Sequence, residues 1–214
     1  HAGGGALSAL RSLRLRCHER RQRRMINLTI DGIPVKAAEG TTILEAAAAA
    51  GVEIPTLCYL REANQIGSCR MCVVEADGVG RLLTACNTLV KEGMNVNTKS
   101  GRVISARRMI LDLLLANHCQ DCFSCGKNGA CELQKYCNEY GVEYSSYPAT
   151  RSGEERKNSH PFLSYRPELC IHCQRCVGTC EHVTGRKAIG LGKAGVFNII
   201  EAPFGPDWKT TLCE

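Results

Sequence analysis

The alternation of apolar and polar residues predicts that the body of the chain begins with a β-hairpin. Residues 26–30 alternate in this way, Asp31 and Gly32 form a two-residue turn signal, and residues 33–37 supply the partner strand. Further strand-like runs occur at 72–76, 82–86 and 94–98, with an Asp77-Gly78 turn between the first two. We expect a small mixed sheet that the strand at 94–98 closes.

Two helices are predicted by different signals. Thr42 and Glu45 have capping-box spacing ahead of an alanine-rich run, and Gly51 ends that run, which predicts a short helix across the hairpin. A longer amphipathic helix is expected over residues 103–117. Its apolar positions are Val103, Ala106, Ile110 and Leu114, with Leu111, Leu113 and Leu115 beside them, while Arg107, Arg108 and Asp112 fall elsewhere on the helix. We interpret the leucines as ordinary core residues.

Cysteine dominates the composition. The 214 residues include 15 Cys but only 5% aromatic residues, so metal would have to supply part of the folding energy. The odd number of Cys and their grouping in C-x2-C runs favour metal ligation in a reducing compartment over disulfides. The sequence therefore predicts a cytoplasmic protein.

The positive charge is confined to the first 24 residues. Seven Arg and one Glu in that segment account for the whole net charge of +6, and the remainder is neutral. A neutral body argues against nucleic-acid binding, and no apolar run is long enough for membrane insertion. The segment is either a transit peptide or upstream sequence before a start at Met25, and is predicted to be disordered.

Three cysteine-rich sites follow one another, each with its own spacing. The first is Cys58-x10-Cys69-x2-Cys72-x13-Cys86, the second is His118-x3-Cys122-x2-Cys125-x5-Cys131, and the third is Cys170-x2-Cys173-x2-Cys176-x3-Cys180. Such short spacings let one loop wrap several thiolates around an iron–sulfur cluster. Electron transfer is therefore the leading hypothesis, with a structural zinc module as its alternative.

The first site resembles the plant-type ferredoxin motif with a longer first gap. This variant, with residues 54–59 and 67–75 around it, is similar to the [2Fe–2S] domain at the N-terminus of the large iron–sulfur subunit of respiratory NADH dehydrogenase and its relatives. The resemblance implies a β-grasp fold and a [2Fe–2S] cluster held by the four Cys of the first site.

The second site resembles the unusual [4Fe–4S] motif of the same family, which has one His and three Cys ligands. The resemblance assigns His118, Cys122, Cys125 and Cys131 as the ligands. The family usually has Pro after the His, whereas this chain has Cys119, which leaves an all-thiolate set as an alternative. Cys17 and Cys137 match no ligand position, and Cys137 is expected to be a small buried apolar residue.

The third site resembles the bacterial ferredoxin run, in which the fourth Cys ligates a second cluster. Cys170, Cys173 and Cys176 would then hold one [4Fe–4S] cluster. Cys180 and Cys213 would belong to another, with Cys213 as the first residue of an incomplete second run. NAD(P)-linked [FeFe]-hydrogenases and formate dehydrogenases have such a pair of runs, and residues 201–206 are similar to the segment that precedes their second run.

These observations predict an α+β chain of five segments. They are a leader (1–24), a β-grasp [2Fe–2S] ferredoxin domain (25–100), a small helical His-ligated [4Fe–4S] domain (101–144), a linker (145–160) and a partial bacterial-type 2[4Fe–4S] ferredoxin module (161–214).

The resemblance implies an electron relay between a flavin- and NAD(P)-binding diaphorase subunit and a catalytic hydrogenase or formate dehydrogenase domain or subunit. No catalytic site is predicted within these residues. The alternatives are a respiratory NADH dehydrogenase subunit and a stand-alone ferredoxin-like carrier.

Overall fold

The structure is a computed structural model that describes residues 24–148, 164–192, 198–202 and 208–211. Four sequence-based predictions lie wholly or mainly outside these residues. They concern the leader, Cys17, the linker beyond residue 148, and Cys213.

The chain begins with the predicted hairpin. Strand β1 (Met25–Ile30) pairs antiparallel with β2 (Ile33–Ala38), and Ile30 lies opposite Ile33. The two turn residues, Asp31 and Gly32, have φ of 50° and 81°. Positive φ at both positions is what a tight type I′ turn requires, and Asp-Gly supplies it at low cost.

Helix α1 (Ile43–Ala49) begins at the predicted capping box. The N–H of Glu45 donates to Thr42 Oγ1 at 3.2 Å, and the N–H of Thr42 donates to the Glu45 carboxylate at 3.0 Å. The helix ends before Gly51, whose φ is +76°. Both end signals predicted from the sequence are confirmed.

Three more strands complete a five-stranded sheet of order β2-β1-β5-β3-β4. They are β3 (Val73–Ala76), β4 (Leu83–Thr84) and β5 (Asn95–Asn97). The prediction that the last strand closes the sheet is wrong, because β5 lies in the centre, parallel to β1 and antiparallel to β3. Strand β5 pairs with the free edge of β1, where the N–H groups of Thr29 and Asp31 donate to the carbonyls of Met94 and Val96, each at 2.8 Å.

Helices α2 (Gly101–Ala116) and α3 (Glu132–Tyr140) build a second apolar cluster beside the core of the sheet. Its buried members come from both parts of the chain: Leu57, Cys58, Cys69, Met71, Leu111, Leu115, Leu133, Tyr136 and Cys137. The cluster therefore joins the ferredoxin-like sheet to the two helices. In the described ranges, no helix has the length and apolar character needed to cross a membrane.

The buried face of α2 differs from the predicted one at two positions. Arg107 is only 3% exposed, although its charge suggested a solvated position, and Leu113 is 50% exposed. The sheet packs against the face that carries Val103, Arg107 and Leu111, so tertiary contacts override residue type here. The expectation that Leu113 belongs to the core is wrong.

The described part of the C-terminal segment contains short elements. A helical turn, α4 (Arg175–Gly178), continues into a π-helical turn (Thr179–Val183), and β6 (Gly190–Gly192) pairs antiparallel with β7 (Ile199–Glu201). Single 3-10 turns lie at Pro167–Leu169 and Trp208–Thr210.

Candidate iron–sulfur sites

The four cysteines of the first site lie together in the interior. Cys58, Cys69, Cys72 and Cys86 are at most 8% exposed. Cys58 hydrogen-bonds with Cys69, and Cys72 with Cys86, so the thiols form two buried pairs. A [2Fe–2S] cluster takes four protein ligands, two on each iron, and two thiol pairs fit that donor set.

Local structure explains how these cysteines meet. Cys69 and Cys72 flank a turn in which Arg70 has a left-handed φ of 63°. Strand β4 then brings Cys86 back to Cys72, since Val73 pairs with Thr84 and the N–H of Ala85 donates to Cys72 O at 3.0 Å. The hairpin of β3 and β4 thus closes the long gap between the third and fourth cysteines.

Electrostatics within each pair favours one thiolate. The hydrogen bond from Cys58 lowers the pKa of Cys69 to about 6, while the pKa of Cys58 is raised by its bond to Cys69 and by burial. Likewise, the bond from Cys86 lowers the pKa of Cys72 and raises that of Cys86. A bound metal centre removes this difference between the two thiols of a pair, because its positive charge deprotonates every coordinating thiol.

The candidates of the second site lie between α2 and α3. His118 follows the C-cap of α2, and its Nδ1 atom is buried. Cys122 and Cys125 are half-buried in the loop, and Cys131 is the N-cap residue of α3. Cys119 is half-buried, and its N–H donates to Glu168 O at 2.7 Å.

The expectation for Cys137 is confirmed. This residue is buried in the second apolar cluster, and burial raises the pKa of its thiol to about 11. The charges of Cys131 and Cys122 add to that rise, so both lie near it. Burial among apolar side chains agrees with this packing role.

The third site surrounds a cavity of about 900 Å³. Cys170, Cys176 and Cys180 line the cavity, and Cys180 Sγ accepts from the N–H of Ala188 at 3.1 Å. Cys173 packs instead against the second apolar cluster. It nevertheless lies close to Cys176. That residue is exposed as a whole, and its pKa is raised by desolvation of the thiol and by the charges of Cys173 and Cys170.

Contacts join the third site to the first, and sequence reasoning missed them. Asn64, which is buried, donates its side-chain N–H groups to Cys58 O and Cys173 O, each at 2.8 Å. Gly178 approaches the backbone of Ala63 so closely that an added Cβ would lie less than 3.0 Å from its carbonyl oxygen. No local pattern marked either residue, because each acts on a partner over 100 positions away.

The structure brings the candidate ligands of each site near one another, but their side chains do not form a closed coordination shell. Among the described residues, no three His, Cys, Asp or Glu side chains converge as they would around a single metal ion. The fit to clusters rests on the donor chemistry and on the buried thiol pairs of the first site.

Two family models match the chain. A 2Fe-2S iron-sulfur cluster binding domain matches residues 23–101, and the NADH-ubiquinone oxidoreductase-G iron-sulfur binding region matches residues 107–146. The first range contains the first site, and the second contains residues 118–131. The cofactors are therefore iron–sulfur clusters of the [2Fe–2S] and [4Fe–4S] types.

Several curated proteins are similar to this chain. It is 39% identical over 189 residues to the NADPH-Fe(3+) oxidoreductase subunit alpha of Geobacter sulfurreducens. It is 38% identical over 194 residues to the NADP-reducing hydrogenase subunit HndD of Solidesulfovibrio fructosivorans, and 36% identical over 166 residues to the NADH-ubiquinone oxidoreductase 75 kDa subunit of Reclinomonas americana. These alignments cover 88%, 88% and 78% of this chain but only 22%, 33% and 24% of the relatives.

A solved structure is similar over most of its length. It is a chain of an NAD+-reducing [NiFe]-hydrogenase in the H2-reduced state, with a TM-score of 0.82 and 33% identity. The match covers 88% of this chain and 80% of that one. The hydrogenase and NADH dehydrogenase branches of the resemblance are confirmed, and the formate dehydrogenase branch stays a prediction. The chain belongs to the family of iron–sulfur subunits that NAD(P)-linked hydrogenases and NADH dehydrogenases share.

Proposed function

We propose that this chain relays single electrons between an NAD(P)-linked flavin subunit and the catalytic part of a hydrogenase. The observation that carries the proposal is the second apolar cluster. It packs Cys58 and Cys69 of the first site with elements of the second, and Cys131 and Cys173 of the other two sites border it. A common interior without bulk water suits transfer between neighbouring clusters.

The proposed ligands are those that the sequence motifs indicate. The first site would hold a [2Fe–2S] cluster and the second a [4Fe–4S] cluster with His118 as one ligand. Cys170, Cys173 and Cys176 would hold a third cluster, with Cys180 and Cys213 reserved for another. Burial of Nδ1 supports His118. Cys119, whose backbone N–H donates to Glu168 O, stays as the alternative ligand of an all-thiolate set.

Bound clusters supply one-electron chemistry, and the surrounding residues set their potentials. The chain provides hydrogen bonds to sulfur, such as that from the N–H of Cys69 to Cys58 Sγ at 3.5 Å. It also provides burial, which differs between the enclosed first site and the half-exposed second site. We expect the potentials of the sites to differ for these reasons.

The named relatives support the choice of partners. A subunit of an NADP-reducing hydrogenase and a chain of an NAD+-reducing hydrogenase are both similar to this protein. We therefore propose a diaphorase subunit and a hydrogenase subunit or domain as partners, in the reducing cytoplasm, where the 13 described cysteines, all free, would persist.

Anaerobic reconstitution of the full chain with ferrous iron and sulfide tests the cofactors. We expect acid-labile sulfide and, after dithionite reduction, electron paramagnetic resonance (EPR) signals of both cluster types. Cys86→Ala should remove the [2Fe–2S] signal, and Cys137→Ala, the matched buried thiol, should keep it. Stoichiometric zinc without sulfide, or an unchanged [2Fe–2S] signal in Cys86→Ala, would contradict the proposal.

Reduction of the clusters by NADH or NADPH tests whether the chain needs a partner subunit. We expect dithionite to reduce the clusters of the isolated chain and NADH or NADPH alone to leave them oxidised, because a two-electron hydride donor needs a flavin to split its electrons. Adding a flavin-containing diaphorase should make NAD(P)H effective. Direct reduction by NAD(P)H without it would refute the assignment of this chain to a relay role.

A further inference from the structure

The interior side of α2 carries a guanidinium group beside the first site. Arg107 lies on the buried face between Val103 and Leu111 and is 3% exposed. A buried cation is costly unless its hydrogen-bonding capacity is met, and arginine is almost never fully buried without partners. Its partners therefore indicate what the position is for.

Three neutral acceptors hold the guanidinium. Nε donates to Met71 O at 3.1 Å, Nη2 donates to Val73 O at 2.8 Å, and Nη1 donates to Tyr140 Oη at 3.0 Å. The ring of Tyr140 also lies with its centroid 6.0 Å from Cζ. The planar fork of arginine fits this arrangement, and the single ammonium of lysine does not.

The positive charge has no salt bridge among the ion pairs of the described residues. A surface groove that Arg107 lines also contains Asp31, Glu53 and Glu139. These three acidic residues are exposed, so water and salt screen their charges.

The two carbonyl acceptors flank one candidate ligand. Met71 and Val73 are the neighbours of Cys72 on either side, and Cys72 is 1% exposed. A fixed cation is therefore attached to the backbone on both sides of a buried cluster ligand. An added negative charge at that ligand is attracted to the cation through a medium of low polarity.

We propose that Arg107 positions the Cys69-to-Cys72 turn and raises the reduction potential of the [2Fe–2S] cluster, an inference that rests on the proposed function. Reduction adds one electron and one negative charge to the cluster, with no bond broken and no proton moved. The buried cation stabilises the reduced form more than the oxidised form. Since α2 ends at the second site, the same residue also ties that helix to the first site.

The test measures the midpoint potential of the [2Fe–2S] signal by a dithionite titration followed by EPR. At the wild-type midpoint, Arg107→Gln should lower the ratio of reduced to oxidised cluster about tenfold, which corresponds to about 59 mV for a one-electron couple. Arg107→Lys loses the three-point hydrogen bonding but keeps the charge, and its ratio should stay within about threefold of wild type. Arg108→Gln removes an exposed charge one position along the same helix, together with its bond to Tyr140 O, and should leave the potential unchanged.

A second pair of variants leaves Arg107 in place, in case its replacement prevents folding. Tyr140→Glu puts a carboxylate beside the guanidinium and should lower the ratio in the same direction as Arg107→Gln. Tyr140→Gln is the neutral control and should not. Iron, sulfide and thermal unfolding are measured for every variant, because a merely structural role would lower cluster content or stability and leave the potential of intact clusters unchanged.

The outcomes separate the two proposals. If the wild-type chain forms a [2Fe–2S] cluster and both Arg107→Gln and Tyr140→Glu keep its potential, the role of Arg107 is refuted and the relay function stands. If Arg107→Gln does not fold, an unchanged potential in Tyr140→Glu is sufficient to refute the role of Arg107. If the wild-type chain binds no such cluster, the proposed function fails and this inference fails with it.

Discussion

Replacement of Gly178 by alanine is expected to loosen the contact between the third and first sites. Gly178 has ordinary helical geometry, with φ of −59°, so alanine by itself would favour the helix by about 0.5–1 kcal/mol. Any destabilisation must therefore come from the tertiary contact. Because the helix effect stabilises and the tertiary contact destabilises, the substitution tests whether Gly178 packs as closely against Ala63 as the structure shows.

The magnitude follows from what the added methyl group would meet. The new Cβ would lie less than 3.0 Å from the carbonyl oxygen of Ala63, 3.1 Å from its carbonyl carbon and 3.3 Å from Cβ of Asn64. Backbone atoms move less easily than a flexible side chain, and overpacking of this kind typically costs about 1–3 kcal/mol. After the helix gain, we expect a net loss of about 0–2.5 kcal/mol, with a central value near 1 kcal/mol.

The clash is relieved when the helical turn that carries Gly178 moves away from residues 63 and 64. That movement would break the bond from Asn64 to Cys173 O and the weak contact from Ser68 Oγ to His172 O at 3.5 Å. Hydrogen–deuterium exchange on the reconstituted chain measures it. Peptides over residues 58–69 and 168–180 should exchange faster in the variant, while the hairpin over residues 25–38 stays protected.

Gly190→Ala is the matched control. Gly190 lies in β6 of the same C-terminal segment, and an added Cβ there meets no atom within 4 Å. It should exchange as the wild type does over both peptides. If Gly178→Ala leaves the 58–69 peptide as protected as in wild type, the close approach of these two segments is wrong.

Three further perturbations test separate features. Thr42→Ala removes one half of the capping box and should cost about 1 kcal/mol of unfolding free energy in a urea titration, with an unchanged midpoint arguing against the cap. His118→Ala should alter the EPR signal or potential of the second cluster more than Cys119→Ala does, and the reverse order would favour the all-thiolate set. Hydrogen bonds from Ser146 and its neighbour lower the pKa of the Asp112 carboxyl, so this tie to α2 is present at neutral pH and is lost as the pH falls through that lowered value. Exchange of the Ser146 amide should quicken at acid pH in wild type, whereas in Asp112→Ala, which has no side-chain acceptor, it should already be fast, once corrected for intrinsic rates, at neutral pH.

Features that depend on near neighbours could be predicted from the sequence. Asp31 and Gly32 specify their turn through backbone conformations that other residues adopt at a cost, and Thr42 with Glu45 specifies a helix start through bonds three residues apart. The cysteine spacings predicted iron–sulfur clusters for the same reason, because a loop that wraps a cluster needs its thiols at fixed short intervals.

Features that depend on distant partners were decided only by the tertiary structure. β5 entered the centre of the sheet because β1 offered a free edge, and a strand's own residues do not record which edge it will meet. Arg107 became a core residue because carbonyls 34 and 36 positions away accept its hydrogen bonds, although its charge gave it no place among the predicted apolar positions of the helix. Asn64 and Gly178 bridge two sites through contacts with segments more than 100 residues away. Periodicity, caps and spacing report only what lies within a few residues, so the arrangement of the sites around one interior emerged only from the folded chain.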